Sequence, residues 1–325
     1  MIDENAFTTD AIFNVNEGDF VALALQIFAF QRENNAVYRS FCQNRTLPTV
    51  LTSIPFLPIS FFKTHEVACT KGPFAKVFTS SGTTGMEVSR HFQADLSTYE
   101  TAFLRGFSLF YGQPDQYSFL CLLPGYMERE GSSLIYMAER LVRESGQGDS
   151  GFFLQAEGDL VEIIKRREQS GQKSLLLGVS FALLDFAEQF PMRLTHTIIM
   201  ETGGMKGRRR EITRMEMHKT LQQAFGVPAI HSEYGMTELL SQAYSIGEGI
   251  YRCPPWMRIL VRDEDDPFQL QTEGAGILCI ADLANWNTCS FIETADVGRV
   301  FPDGSFEVLG RMDYSDIRGC SLLVV

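Results

Sequence analysis

With 325 residues, 45% of them hydrophobic and 21% charged, the chain carries enough apolar material for a large core and falls outside disordered, collagen-like and disulfide-scaffold compositions. Its formal net charge of -12 argues against a nucleic-acid surface, because phosphate backbones are bound chiefly by Lys and Arg. An anionic ligand would need a local pocket of backbone N–H groups and a few cations.

The start, MIDENAFTTD, is acidic and lacks a basic n-region. The most apolar run nearby, Phe20 to Phe30, is far short of the ~20 residues a membrane span requires, so neither a signal peptide nor a transmembrane helix is expected. Seven cysteines, at 42, 69, 121, 253, 279, 289 and 320, form no CxxC or metal-like spacing, which fits reduced thiols in a cytoplasmic protein and argues against zinc.

In chain order, Phe20, Leu23, Ile27, Phe28, Tyr38 and Phe41 recur at helical spacing and predict an N-terminal helical layer over residues 10–43. Two prolines in IPFLPISFFK, residues 54–63, then break it. Beyond Phe74, short apolar runs (KVFTSS, YSFLCLLP, KSLLLGVS, HTIIMETGG, VPAIHSEYG, GILCIAD) alternate with longer amphipathic ones such as SSLIYMAERLVRE and FALLDFAEQF. Buried strands followed by turns and helices predict βαβ units around a mostly parallel sheet. From about residue 244 the helical patterns stop and turn-rich short segments predict a β-rich subdomain.

Four motifs stand out. TSSGTTG, residues 79–85, is a hydroxyl- and glycine-rich loop after a strand, able to offer N–H and O–H donors to phosphate oxygens; its composition also suits an ordinary turn. A P-loop is disfavoured, since Gly85 is followed by Met86 and Glu87 rather than Lys and Ser/Thr. ETGGMKG (201–207) and YGMTE (234–238) each follow a strand-like run, where doubly wound sheets place ligands. An aromatic, a hydroxyl and a carboxylate within YGMTE suit a base and a metal-bound phosphate. Downstream, TADVG (294–298) and GRMDYSDIRG (310–319) each set an acid beside glycine turns.

In that order the motifs resemble those of the adenylate-forming (ANL) superfamily: acyl-CoA synthetases, luciferases and peptide-synthetase adenylation domains. IPFLPISFFK, LLPGYMEREGSSLIYM, EYGMTELLSQAY and the terminal GRMDYSDIRGCSLL look like the LuxE-type acyl-protein synthetase component of bacterial fatty acid reductase, over nearly the whole chain. The resemblance implies an α/β fold: the large N-terminal domain of an adenylate-forming enzyme, with stacked αβα subdomains and a small β-rich subdomain. The expected adenylation core is 1–309, with the β-rich part at about 244–309, and residues 310–325 form a hinge remnant and tail with the C-terminal small domain essentially absent.

The same resemblance assigns roles. Ser80, Ser81, Gly82, Thr83, Thr84 and Gly85 would cradle the β- and γ-phosphates of ATP. Tyr234 and Gly235 would meet the adenine, Thr237 the α-phosphate, and Glu238 would hold Mg2+. Gly203 and Gly204 would let backbone approach the adenine, Asp296 would accept from the ribose hydroxyls, and Arg311 would add a cation nearby. Cys320, matched at DIRGCSLL, would accept the acyl group as a thioester and pass it to an acyl reductase or another acceptor protein. The expected reaction is thus ATP-dependent ligation of a carboxylic acid, by resemblance a fatty acid, through acyl-AMP. A phenylacetate-type acyl- or aryl-CoA ligase and a degenerate nucleotide-binding subunit of a multienzyme complex are the competing readings. The second of these is motivated by the missing C-terminal lysine, while Ser89 and Arg90, standing where acyl-CoA synthetases commonly have a lysine, weigh against the usual thioesterification surface for CoA. As plain structure, Tyr234 would be a core aromatic, Glu238 a helix-terminal acid, Asp296 a turn acid and Cys320 a buried thiol. His91 and His231 are expected to be hydrogen-bonded structural histidines.

Overall fold

A computed structural model describes residues 7–80, 87–124, 131–153, 158–203, 212–263 and 269–312. It divides into two units, Gly72–Pro254 and the described part of Met1–Lys71 with Pro255–Val325.

The chain opens with helices α1 (Thr9–Phe13), α2 (Phe20–Asn34) and α3 (Ala36–Phe41), then a two-residue strand β1 (Leu57–Pro58) and a one-turn helix α4 (Phe61–Thr64). Thr8 caps α1 by accepting from the Ala11 N–H, and Asn35 caps α3 by accepting from the Tyr38 N–H.

The first unit begins with an antiparallel hairpin, β2 (Lys76–Thr79) and β3 (Arg90–Gln93), which pair from Lys76↔Gln93 to Thr79↔Arg90. This differs from the expectation that KVFTSS joins the parallel sheet. The reason is local: the chain returns after the loop directly into the four residues of β3, with no crossover helix between, and a strand that returns in this way pairs antiparallel. There follow α5 (Ser97–Tyr111), β4 (Ser118–Leu122), α6 (Ser133–Ser145), β5 (Gly151–Phe153), α7 (Gly158–Ser170), β6 (Ser174–Val179), α8 (Ser180–Gln189), β7 (Thr197–Thr202), α9 (Arg214–Phe225), β8 (His231–Tyr234), β9 (Ala243–Ser245) and β10 (Ile250–Tyr251).

Six of these strands form one sheet in the order β5-β4-β6-β7-β8-β9, parallel throughout except for the antiparallel edge pair β8/β9. β4 and β6 are buried at every position, as continuous apolar runs in a sheet covered on both faces must be. Alternation along β7 shows the two layers. Met200 faces a cavity lined by Phe107 of α5 and by Met137 and Leu141 of α6, whereas Glu201 faces Arg214 and His218 of α9. Helices α8 and α9 meet through Phe186 and Phe225, whose ring centroids are 5.8 Å apart. The unit is therefore an αβα sandwich, and its edge strand β9 carries it past residue 244.

The second unit resumes with β11 (Met257–Arg262), β12 (Leu270–Gln271), β13 (Gly274–Asp282), β14 (Phe291–Val300) and β15 (Phe306–Arg311). These pair antiparallel in the order β15-β14-β13-β11-β12, while β1 joins the first half of β14 in parallel. The N-terminal helices belong here. Buried Gln31 of α2 donates to the carbonyls of Trp286 (2.8 Å) and Asn285 (3.1 Å) and accepts from the Ser290 N–H (3.1 Å). Asn35 donates to Thr288 O at 2.9 Å, and Phe13 meets Trp256 edge-on at 4.8 Å between centroids. Among the described residues no helix is long and apolar enough to cross a membrane, and the six described cysteines are all free.

TADVG does not form the turn its glycine suggests; it lies inside β14, where the register to β15 shifts between Val297 and Gly298. Glycine serves close approach there, since a Cβ on Gly298 would sit 2.3 Å from the Glu307 carbonyl oxygen. Gly298→Ala is expected to cost about 2 kcal/mol or more by forcing the strands apart. Urea unfolding measures this, and a loss under about 0.5 kcal/mol would show that the strands separate freely at the bulge.

Candidate functional site

Parallel strands β7 and β8 end side by side, with Thr202 opposite Glu233 in the ladder. ETGG and YGMTE therefore leave the sheet next to each other at its carboxyl end, the side on which open α/β sheets bind ligands. Gly203 takes a left-handed conformation (φ 68°), and its carbonyl is held by the Ser180 hydroxyl at 2.7 Å.

The β2–β3 hairpin is anchored to the same edge by two bonds. The Thr79 N–H donates to Gly131 O (2.8 Å), in the segment leading into α6, and His91 Nδ1 lies 2.8 Å from Thr237 O, 146 positions away. A carbonyl only accepts, so His91 carries its proton on Nδ1. Its Nε2 lies 2.8 Å from the Gln93 side-chain amide nitrogen, which donates to it, and the ring is fully buried. At the neck of the loop, the Ser80 N–H bonds Ser89 O (3.1 Å) and the Ser89 N–H bonds Ser80 Oγ (2.9 Å). Ser80 thus uses its backbone and one lone pair to close the loop, leaving its hydroxyl proton to donate. Ser81, Gly82, Thr83, Thr84, Gly85, Gly204 and Cys320 lie outside the described residues.

Within YGMTE, Tyr234 is buried and packs edge-on against Tyr251, with 5.8 Å between centroids. Gly235 is exposed, Thr237 half-buried and Glu238 buried. A Cβ on Gly235 would lie 2.5 Å from Glu233 Oε1, so only glycine fits there without moving that carboxyl.

Two buried acids flank this edge on opposite faces of the sheet. Glu201 is met by Arg214 Nε (3.3 Å) and His218 Nε2 (3.7 Å), and Arg214 also lies over the Tyr251 ring, 5.4 Å from its centroid. A capping box between Thr213 and Glu216 starts α9 and fixes Arg214 in its first turn. Glu233, on the other face, accepts from Thr202 Oγ1 at 2.5 Å and is the one charged-type residue lining an apolar cavity about a single water in size. Desolvation pushes its pKa up to about 7, and the Glu201 charge adds to the rise, while the Thr202 bond opposes it. His231 stands nearby with Nδ1 3.2 Å from the Tyr111 hydroxyl, and burial depresses its pKa to about 4, so it is a neutral, hydrogen-bonded ring.

In the other unit, Asp296 and Arg311 are brought together as cross-strand partners of β14 and β15, with Arg311 Nε 3.9 Å from Asp296 Oδ1. Asp296 is largely covered and Arg311 is exposed, so the pair is solvent-screened and worth little to stability. Glu233 falls inside the EYGMTELLSQAY stretch but was assigned no role there, and Gln93 and Ser180 carry no motif; their placement becomes evident only once the strand ends are adjacent.

No family model and no curated protein matches the chain. Among solved structures, its fold is similar to that of ATP-bound MatB from Rhodopseudomonas palustris (TM-score 0.53, 15% identity, covering 73% of this chain and 48% of that one). It is also similar to O-succinylbenzoate coenzyme A synthetase (MenE) from Bacillus subtilis with the acyl-adenylate intermediate OSB-AMP (TM-score 0.52, 17% identity, covering 76% and 50%). The same enzyme with ATP and magnesium gives a TM-score of 0.51 at 16% identity, covering 74% and 51%. The chain spans about half the length of these structures. It has the α/β fold of the large domain of adenylate-forming enzymes.

The raised pKa of Glu233 makes stability pH-dependent with a definite sign. The folded state holds this proton more tightly than the unfolded chain, so its contribution is complete below about pH 4 and is lost as pH rises through about 7. Glu233→Gln, which stays neutral, is expected to gain on wild type between pH 5 and pH 8 by up to about 3 kcal/mol. Urea unfolding at the two pH values reads the difference, and an equal effect of the substitution at both would contradict the assignment.

Proposed function

We propose that the chain activates a carboxylic acid with ATP and Mg2+ to an acyl-adenylate, then transfers the acyl group to the Cys320 thiol as a thioester and on to an acceptor protein such as an acyl reductase. The observation that carries this reading is the hydrogen bond from His91 to Thr237, which joins the neck of TSSGTTG to YGMTE at the sheet edge. The fold shared with MenE, a protein solved with an acyl-adenylate, supports it.

A carboxylate resists nucleophilic attack because its charge repels the nucleophile and oxide is a poor leaving group. In the proposed first step a carboxylate oxygen attacks the α-phosphorus, the bond to the bridging oxygen breaks, and pyrophosphate leaves. The loop that starts at Ser80 would hold the β- and γ-phosphates, Thr237 would contact the α-phosphate, and Tyr234 with Gly203 and Gly204 would bound the adenine. Positioning and charge stabilisation at phosphorus would supply the rate. Asp296 and Arg311 would serve the ribose and phosphate. In the second step the Cys320 thiolate attacks the acyl carbon, the carbon–oxygen bond to phosphate breaks, and AMP leaves with the electron pair.

Among the described residues no group of three or more metal-ligating side chains forms. Magnesium bound here would draw on the Glu238 carboxylate, on phosphate oxygens and on water, a hard-oxygen set of the kind Mg2+ takes. Its chemistry would be to neutralise phosphate charge.

MenE, by its name a coenzyme A synthetase, favours a second reading in which coenzyme A is the acceptor. Intact-protein mass after incubation with ATP, Mg2+ and a mixture of short, long-chain and aromatic acids separates the two. The expected outcome is a hydroxylamine-labile acyl increment on wild type that is absent from Cys320→Ala. No increment on either protein, with AMP formed only when coenzyme A is added, would assign the second reading. No AMP under any condition would reject both.

A further inference from the structure

We infer that His91 is a positioning residue for the reaction proposed above: its Nδ1–H fixes the Thr237–Glu238 peptide so that the Thr237 and Glu238 side chains stay aligned with the nucleotide-binding hairpin. The inference rests on that functional reading.

A turn following a strand has no ladder partners, so the peptide planes of residues 235–238 must be held by other groups. The Leu239 N–H to Met236 O bond (3.1 Å) closes the turn internally without orienting it against the hairpin. His91 supplies that orientation, by its 2.8 Å contact to Thr237 O. A trans peptide places its C=O and N–H in opposite directions, so anchoring the Thr237 carbonyl on His91 aims the Glu238 N–H away from the hairpin core. The same plane sets the direction in which each flanking Cα projects its side chain.

The anchor is rigid at both ends. His91 pairs with Phe78 in the β2–β3 ladder, stands two residues beyond the Ser80–Ser89 neck, and is fully buried. Gln93 occupies its second nitrogen and so holds the ring in the tautomer that donates from Nδ1. A shift of the loop neck is therefore passed to Thr237 through one side chain, rather than through the long covalent path between them. His91 touches neither of the reacting atoms, and its effect is exerted through Thr237.

Two substitutions test this. His91→Asn keeps an N–H donor near the place of Nδ1, and His91→Phe keeps a ring and loses the donor. In acid-dependent ATP–pyrophosphate exchange, His91→Phe is expected to lower kcat roughly ten- to hundredfold while KM for ATP stays within about threefold, the pattern of lost alignment in the transition state. His91→Asn is expected within about fivefold of wild type. Hydrogen exchange followed by mass spectrometry should show faster exchange at residues 235–240 in His91→Phe, with β6 and β7 unchanged. A kcat within threefold of wild type for His91→Phe, an equal loss in His91→Asn, or unchanged protection at 235–240 would each overturn the inference. Faster exchange spread over the whole unit would do so as well, because it assigns His91 to general stability. If wild type shows no pyrophosphate exchange with any acid, the functional reading fails, and the hydrogen-exchange arm alone decides whether His91 anchors the turn.

Discussion

The candidate site depends on one buried imidazole. TSSGTTG and YGMTE are far apart in the chain, and His91, at 2.8 Å from the Thr237 carbonyl, bridges their segments. A neutral histidine suits the task because it presents one donor and one acceptor in a fixed plane, and both are used here, the acceptor by Gln93. Burial strengthens the bond, since no water competes for the carbonyl, and it raises the cost of losing the partner. A lysine or arginine in its place would bring an unpaired charge into the core, which is far more costly than a neutral ring.

Around that bridge the sheet separates two acids that lie one strand apart. Glu201 faces α8 and α9, where Arg214 and His218 approach it, while Glu233 faces α5 and α6 and an apolar cavity. Strand alternation alone produces this division, because residues on opposite sides of the pleat share no side-chain environment. The consequence is one carboxyl with cationic company and one whose proton is held up to about pH 7 by desolvation. Glu233 directly precedes Tyr234, and its Oε1 fills the space a Cβ on Gly235 would need, so this carboxyl lies directly against the start of the YGMTE turn.

Much of the α/β architecture was legible because buried parallel strands write themselves as apolar runs: LLLGV became β6 and TIIMET became β7 with little shift. The hairpin was not legible as such, since KVFT reads like the other strands and only its four-residue partner reveals the antiparallel return. Nor was the glycine of TADVG, which marks a bulge inside β14 rather than a turn, a distinction made by the approach of Glu307 from another strand. The attachment of the N-terminal helices to the antiparallel sheet rests on Gln31 and Asn35 reaching residues about 250 positions later, and no local pattern encodes that. At the site, the motifs pointed to the segments, while His91 acquired a role only through its contact with a distant segment, and Gln93 through its bond to His91.

In the proposed first step a carboxylate oxygen becomes bonded to the α-phosphorus of ATP. Turnover with an acid labelled with oxygen-18 in its carboxyl group tests it most directly. The AMP released is expected to carry one labelled oxygen, because cleavage of the acyl-adenylate leaves the attacking oxygen on phosphorus. Label recovered in inorganic phosphate, with ADP as the nucleotide product, would contradict it and point to an acyl phosphate route.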